Sequence, residues 1–313
     1  MDAASTNAFK GKLEKLRNNV WTVGCHKFSV SVVVCTVGQV GLVHTLPETA
    51  ETGIVVAMTS LGEEIYVLRL SGGKEIEVYD VITYGLQRRL SLPFSRGYTD
   101  MTSCEHYRCM YISDPFAECV HRVNCEGHAT RWGVYDNAHG LSVNSAHNLL
   151  VTCRRIPRIK ELSPRGDLMR EIRLPDTIIN PWHAQQLTSG QFIVCHGEVY
   201  DAVRRVCLIS EDGHYILHSH GGQRGSDTGQ YGVPRHLAID SNDFVLVADI
   251  SNRRVTLLSP TLDYVRDVVT SKQLKSWFPY RISLDVRRRR LYVTENEFES
   301  ARYKAGRVAV FSI

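Results

Sequence analysis

A pair of adjacent apolar residues recurs six times along the chain, each time bounded by turn-forming residues. The six pairs are Tyr66-Val67, Tyr111-Ile112, Leu150-Val151, Ile193-Val194, Leu246-Val247 and Tyr292-Val293. They follow one another at intervals of roughly 40 to 50 residues, which is the spacing of an architecture built from one repeated unit. In the clearest repeat, residues 231–269, four short runs rich in Val, Ile and Leu are separated by Asp, Asn, Ser and Pro. Such runs are typical of β-strands, because branched side chains suit a pleated, half-buried surface.

Four strands in each of six repeats predict an all-β fold, a six-bladed β-propeller of four-stranded antiparallel blades. We place the propeller at residues 38–313 and treat residues 1–37 as an N-terminal extension with a possible short helix and an extra strand. The last repeat supplies only three strands before Ile313. We expect residues 40–46 to provide its missing outer strand, which would close the ring and remove two open sheet edges.

Composition favours a soluble, intracellular chain. The 37 Lys and Arg residues exceed the 33 Asp and Glu residues, giving a mild net charge of +4. No apolar run approaches the length that spans a bilayer, and the first residues lack the apolar segment of a secretory signal. The nine cysteines show no disulfide-framework spacing, which indicates reduced thiols. We therefore expect a cytoplasmic protein that makes no contact with membranes.

Basic and aromatic residues cluster where a propeller would place them on one face. The loops before the inner strands and after the second strands open around one end of the central channel. The candidate partner-binding residues in these loops are His139, Trp182, His183, Arg235, His236, Tyr280, Arg281, Arg154, Arg155 and Arg253. Arginine pairs with carboxylate or phosphate and aromatic rings stack on bases, so this face suits a peptide, an acidic protein or single-stranded RNA.

Three stretches of the chain resemble NHL repeats. They are ADISNRRVTLLSP at residues 248–260, the preceding PRHLAID, and YISDPFAECVHRV at residues 111–123. The resemblance covers residues 40–313 and is to the six-bladed propellers of tripartite-motif proteins and related invertebrate proteins. It implies an interaction platform for proteins or RNA. The repeat's Asp is present at Asp114 and Asp249, is Glu295 in the last blade, and is replaced by Cys153 and His196 in two others.

These observations predict a non-enzymatic platform that binds a protein or peptide on the channel face. Single-stranded RNA is the second interpretation, because the net charge of +4 lacks the strong excess of a nucleic-acid binder. The sequence predicts that replacing Arg235 and Arg281 together abolishes capture of the partner and leaves the fold intact.

The alternative is a metal-dependent enzyme, although we expect no cofactor. The stretch His139-Gly140-Leu141-Ser142-Val143 is similar to an inner-strand motif of the six-bladed amidating lyases, whose zinc is held by histidines in the channel. That resemblance implies His139, His183 and His236 as zinc ligands, but His139 aligns with Arg235, one residue before His236. A similarity to gluconolactonase-type propellers would instead imply calcium, and the candidate ligands are then Glu295, Asn180 and Asp249.

Blade two is rich in thiols. Its candidates for zinc or thiol chemistry are Cys104, Cys109, Cys119, Cys125, His106 and His121. Zinc sites of this kind usually present two Cys-X2–4-Cys knuckles, whereas here a single such spacing occurs, from Cys104 to Cys109. We expect buried free thiols instead.

Overall fold

The structure is a computed structural model that describes residues 40–46, 53–71, 73–92, 97–134, 136–198, 200–299 and 302–313. The predicted extension at residues 1–37 lies outside the described residues. The first twelve strands are β1 (Gly41–Leu46), β2 (Ile54–Leu61), β3 (Glu64–Ser71), β4 (Gly73–Asp80), β5 (Leu86–Ser91), β6 (Asp100–Cys104), β7 (Cys109–Asp114), β8 (Cys119–Asn124), β9 (Ala129–Gly133), β10 (Ala138–Val143), β11 (Leu149–Cys153) and β12 (Arg158–Leu162). The other twelve are β13 (Leu168–Arg173), β14 (Pro181–Gln186), β15 (Phe192–His196), β16 (Arg204–Ile209), β17 (Ile216–Gly222), β18 (Pro234–Ile239), β19 (Val245–Asp249), β20 (Arg254–Leu258), β21 (Tyr264–Val269), β22 (Phe278–Asp285), β23 (Arg290–Glu299) and β24 (Arg302–Ser312).

These strands form six four-stranded antiparallel sheets, which confirms the predicted propeller. Blades one to five are the consecutive groups β2–β5, β6–β9, β10–β13, β14–β17 and β18–β21. Blade six has the strand order β1-β24-β23-β22, so its outer strand comes from the N-terminal side of the chain. The pairing of Leu46 with Val308 fixes the register of this closure. The predicted closing strand at residues 40–46 is therefore confirmed.

The recurring apolar pair packs the blades against one another. Six hydrophobic clusters lie in the described part of the chain, one in each gap between adjacent blades. Leu246 packs in the gap between blades five and six, whereas Val247 packs in the gap between blades four and five. Successive side chains of a strand point to opposite faces of the sheet. Because each second strand has a neighbouring blade on both faces, both members of the pair must be apolar.

A side chain also joins the two ends of the ring. The amide of Asn296 in blade six accepts a hydrogen bond from the backbone N–H of Val55 at 3.0 Å and donates one to its carbonyl at 2.8 Å. Asn296 thus bonds to blade one much as a neighbouring strand would. It fixes the inner strand of blade one against blade six, beside the central channel.

Helix is almost absent from the described residues. The helix α1 (Ser271–Leu274) is a single turn between blades five and six, beginning after the capping residue Thr270. Across the described ranges, no helix has the length and apolarity required to cross a bilayer.

Candidate functional site

The inner strands carry a bulge at one equivalent position. The register shifts by one residue between Ala138 and Gly140, and the same shift occurs in blades one, four, five and six. A bulge redirects the side chain of the extra residue. The extra residues are Val56, His139, Trp182, Arg235 and Tyr280. Four of the predicted site residues therefore share one structural position at the same end of the channel.

These residues and Arg154 form an alternating stack of cations and aromatic rings, which we call the channel mouth (His139, Arg154, Trp182, Arg235 and Tyr280). The guanidinium of Arg154 lies 3.5 Å from the centroid of the Trp182 ring, and that of Arg235 lies 3.8 Å from it. Arg235 also lies 4.2 Å from the centroid of Tyr280 and donates to its hydroxyl. His139 meets Trp182 edge-on at 5.3 Å.

The channel mouth has an excess of positive charge. Burial, followed by the charges of Arg154, Arg281 and Arg235, lowers the pKa of His139 to about 2. Burial and the charge of Arg235 lower the pKa of Arg154 to about 10. Among the described residues, the carboxylate that pairs with Arg154 is Glu198, from the longer loop of blade four. Neighbouring positive charges disfavour the protonated forms of both His139 and Arg154. The same positive charges would stabilise an anion bound here.

Beneath the channel mouth lies a buried charged cluster (Asp100, His183, His236 and Arg281). Asp100 is 1% exposed, and its Oδ1 accepts from Arg281 Nε at 3.0 Å. Its Oδ2 accepts from the backbone N–H of Leu141 at 2.9 Å. Burial alone would raise the pKa of Asp100, but the charge of Arg281, joined by the two histidines when they are protonated in acid, holds it well below its usual value. Through these contacts Asp100 in blade two reaches blades three, four, five and six.

Both histidines of this cluster are neutral at physiological pH. Burial, followed by the charge of His236, lowers the pKa of His183 to about 3, and burial also lowers the pKa of His236. His183 Nε2 lies 2.9 Å from the carbonyl of Leu141, so this nitrogen carries the proton. His236 Nδ1 accepts from the backbone N–H of Ile282 at 3.4 Å, so its proton is on Nε2. The two rings stack with centroids 3.9 Å apart.

The structure separates the predicted site residues into two layers. His139, Trp182, Arg235, Tyr280 and Arg154 meet in the channel mouth, whereas His183, His236 and Arg281 lie in the buried cluster with exposures of 1%, 7% and 2%. A partner on the channel face would therefore touch the first group and not the second. The sequence predicted that replacing Arg235 and Arg281 together would leave the fold intact. The burial of Arg281 does not fit this prediction, because its loss would leave Asp100 as an unpaired buried charge.

The two remaining predicted residues lie apart from this stack. Arg155 is exposed, and Arg253 donates to the carbonyl of Lys275 at 2.7 Å. Neither has a ring contact or ion pair with the channel mouth in the described part of the chain.

The three histidines proposed for zinc do not converge. His139 contacts Trp182 in the channel mouth, and the donor atoms that lie within 4.8 Å of one another are those of Asp100, His183 and His236. Arg281 already bonds to this carboxylate, so a divalent cation there would meet its positive charge at close range.

The residues considered for calcium are likewise engaged separately. Glu295 accepts from Arg307 at 2.6 Å, Asn180 donates to Asp201 at 3.2 Å, and Asp249 accepts from the backbone of Gly232 and Val233. Burial raises the pKa of Glu295 to about 7 despite its pairing with Arg307.

The cysteines of blade two are free, and all but Cys125 are buried. One further group of possible ligand atoms forms there, since Cys119 Sγ lies 3.4 Å from His121 Nε2 and the carboxylate of Asp114 lies 3.7 Å from the same nitrogen. Burial raises the pKa of Cys119, which keeps it a thiol.

Sequence reasoning missed Asp100, although a signal for it existed. Asp100, His183, His236 and Arg281 each pair with the residue that directly follows the apolar pair of the same blade. Aligning the inner strands on that register places all four at one level of the channel. Asp100 lacks the preceding bulge that marks the other three, so it resembled an ordinary residue at the start of a strand.

Comparison with known proteins supports the fold. Neither a known family model nor a curated protein matches the chain. Virginiamycin B lyase from Staphylococcus aureus has a similar structure, with a TM-score of 0.56 and 9% identity, over 86% of this chain and 98% of that one. The β-propeller domain of Cps50 (Swd1) from Myceliophteria thermophila is similar with a TM-score of 0.54 and 12% identity, over 88% of this chain and 99% of that one. A protein of unknown function from Bacteroides caccae is similar with a TM-score of 0.58 and 14% identity, over 75% of this chain and 84% of that one.

The strand pairing of the described residues defines the class as a six-bladed β-propeller, and these likenesses support the propeller fold and define nothing finer. The similar structures include a lyase and a protein of unknown function, and propellers as a class also serve as interaction platforms. No family match supports the NHL resemblance, which rests on the motifs alone.

Proposed function

We propose that this propeller is a non-enzymatic interaction platform that binds an acidic segment of a protein partner at the channel mouth. The observation that carries the proposal is the alternation of Arg154, Trp182, Arg235 and Tyr280 around one end of the channel. A guanidinium that lies over an aromatic ring can still donate N–H groups from its edge to a carboxylate. The excess of positive charge favours the same ligand.

The packing of the aromatic rings favours a protein over RNA. Trp182 is 6% exposed, and two guanidiniums lie within 4 Å of its ring centroid. Recognition of single strands depends on open aromatic faces on which bases stack. Trp182 therefore serves to orient the arginines and offers little surface to a base. The mild net charge of +4 is consistent with the same choice.

Fluorescence anisotropy with defined probes tests the proposal. The probes are a labelled peptide of about ten residues that alternates Glu and Gly, the same peptide with Gln in place of Glu, and a single-stranded RNA of similar length. We expect the acidic peptide to bind. The double change Arg154→Gln and Arg235→Gln should weaken it by at least about 30-fold, because two charge-assisted contacts are lost.

A matched control removes the same charge elsewhere. Arg165 and Arg173 are exposed in blade three, and Arg173→Gln with Arg165→Gln should leave the affinity within about two-fold. Equal binding of the Glu and Gln peptides, or equal loss in both double variants, would contradict the proposed site. Tighter binding of the RNA than of the acidic peptide would favour the RNA interpretation.

A further inference from the structure

The opposite end of the channel contains a second cavity. It has a volume of about 340 Å³ and extends from the buried charged cluster to the face where the first and second strands are joined by hairpins. Its walls come from the inner strands, and its inner end is formed by the imidazoles of His183 and His236. We call it the hairpin-side cavity. Its volume lies at the lower end of the range for small-molecule sites.

Three polar side chains in the walls have no partner. Thr102, Gln185 and Ser283 line the cavity, and within the described ranges their side chains form no hydrogen bond. They come from blades two, four and six, and each lies two residues after Asp100, His183 or Arg281 on the same strand. The two-residue period of a strand places each of them on the same side as its partner in the buried cluster.

The inner end of the cavity is closed by two neutral imidazoles. The proton of His236 Nε2 faces Asp100 Oδ1 at 3.5 Å, and His183 donates from Nε2 to the carbonyl of Leu141. The remaining ring nitrogen of His183 is buried. The imidazoles therefore close the cavity with an uncharged surface.

Among the described residues that line the cavity, the charged side chains are paired, so none of them would select an ion. Asp100 and Arg281 neutralise one another behind the imidazoles. At the rim, Glu105 pairs with Arg287 at 3.0 Å and Asp285 pairs with Arg288 at 2.8 Å. Apolar side chains, including the half-buried Ile239 and Leu284, complete the walls. A surface of hydroxyl, amide and apolar groups matches a molecule that presents hydroxyls at its edge and C–H groups on its faces.

We propose that the hairpin-side cavity binds an uncharged, hydroxyl-rich small molecule of monosaccharide size. Thr102, Gln185 and Ser283 would bond to its hydroxyls, and Ile239 and Leu284 would pack on its C–H face. This site lies at the other end of the channel from the proposed peptide site and does not depend on it.

Saturation-transfer NMR on the full chain tests the proposal. The probes are a panel of neutral hexoses, pentoses and inositol, together with the corresponding hexuronates and hexose phosphates. We expect saturation transfer to at least one neutral member and weaker transfer to its anionic counterparts. The double change Thr102→Val and Ser283→Ala should weaken that binding about ten-fold or more, because buried hydroxyls of the ligand then lack partners.

Two further variants distinguish the cavity from other causes. Gln185→Leu should have a similar effect, and it provides a second test should the first variant fold poorly. Arg154→Gln with Arg235→Gln should leave sugar binding unchanged. Absence of transfer from every neutral member, stronger transfer to the anions, or binding that survives both cavity variants would overturn the proposal.

Discussion

The two ends of the channel are built from the same inner strands and have opposite chemistry. At the channel mouth, bulged positions carry arginine and aromatic residues, and positive charge exceeds negative charge. At the hairpin-side cavity, three residues further along the same strands, the walls are hydroxyl, amide and apolar groups. Side-chain choice at two levels of one repeat therefore gives the two ends of one scaffold different chemistry.

The buried charged cluster is the partition between these ends. Asp100 is within hydrogen-bond or ion-pair distance of groups from blades three to six, so it links most of the ring at one level. Charges are costly to bury unless they are paired and hydrogen-bonded. The separation of the two ends therefore depends on this cluster remaining intact.

The largest effect is expected from Asp100→Asn. It leaves Arg281 as an uncompensated buried charge, and removing one partner of a buried pair costs about 3–5 kcal/mol. Urea unfolding monitored by circular dichroism measures the loss in the free energy of unfolding. Asp212→Asn, at an exposed carboxylate whose pKa is lowered by Ser210 and His214, is the control and should change stability far less than Asp100→Asn. Equal effects of the two changes would show that Asp100 does not hold the ring together.

The second largest effect is expected from acid, which should lower the free energy of unfolding through the buried charged cluster. The pKa of His183 is about 3 in the folded protein, whereas an exposed histidine in the unfolded chain has a pKa of 6.5. Between these two values the unfolded chain binds a proton that the folded protein does not bind. The stability that this group contributes is complete above about pH 6.5 and falls, by about 1.4 kcal/mol per pH unit, as pH drops toward 3. Urea titrations at several pH values should show a shallower acid slope for His183→Asn. An unchanged slope in that variant would mean that His183 is not buried in its neutral form.

A smaller effect is expected from salt, which should weaken ligand binding at one end of the channel and not at the other. Binding of the acidic peptide at the channel mouth should weaken several-fold between about 0.05 and 0.3 M salt, because screening shortens the reach of the arginine charges. Binding of a neutral sugar at the hairpin-side cavity should change by less than two-fold. Parallel anisotropy and NMR titrations measure both. A strong salt response at the cavity would indicate that charge, rather than hydroxyl bonding, holds its ligand.

The smallest effect concerns the rim pair of Glu105 and Arg287. Both side chains are at least half exposed, and such ion pairs contribute about 0–1 kcal/mol. Arg287→Gln should therefore leave thermal stability and sugar binding nearly unchanged. A large loss of sugar binding in this variant would place the ligand at the rim instead of beside Thr102, Gln185 and Ser283.

Local pattern was sufficient to predict the repeat. Apolar pairs such as Leu246-Val247 mark second strands because each strand is covered by a blade on both faces. The missing strand of the last repeat was sufficient to predict β1, and the offset between His139 and His236 matched the bulge seen in the structure. The apolar pairs and the offset depend on residues close together in sequence, whereas β1 was predicted from a gap in the count of repeated strands.

The layering of the site could not be predicted from the same patterns. Arg281 and Asp100 are separated by 181 positions and meet only because the ring closes. Sequence reasoning grouped His183, His236 and Arg281 with the channel mouth because they begin inner strands. The bulge moves each one residue deeper, where burial and Asp100 determine its role.

The most direct test of this account is a titration of one protein preparation with both the acidic peptide and the neutral sugar panel. We expect both ligand types to bind together without competition. The Arg154→Gln and Arg235→Gln variant should lose only the peptide, and the Thr102→Val and Ser283→Ala variant should lose only the sugar. Mutual competition, or loss of both ligands in either variant, would contradict the conclusion that the two ends of the channel are separate sites.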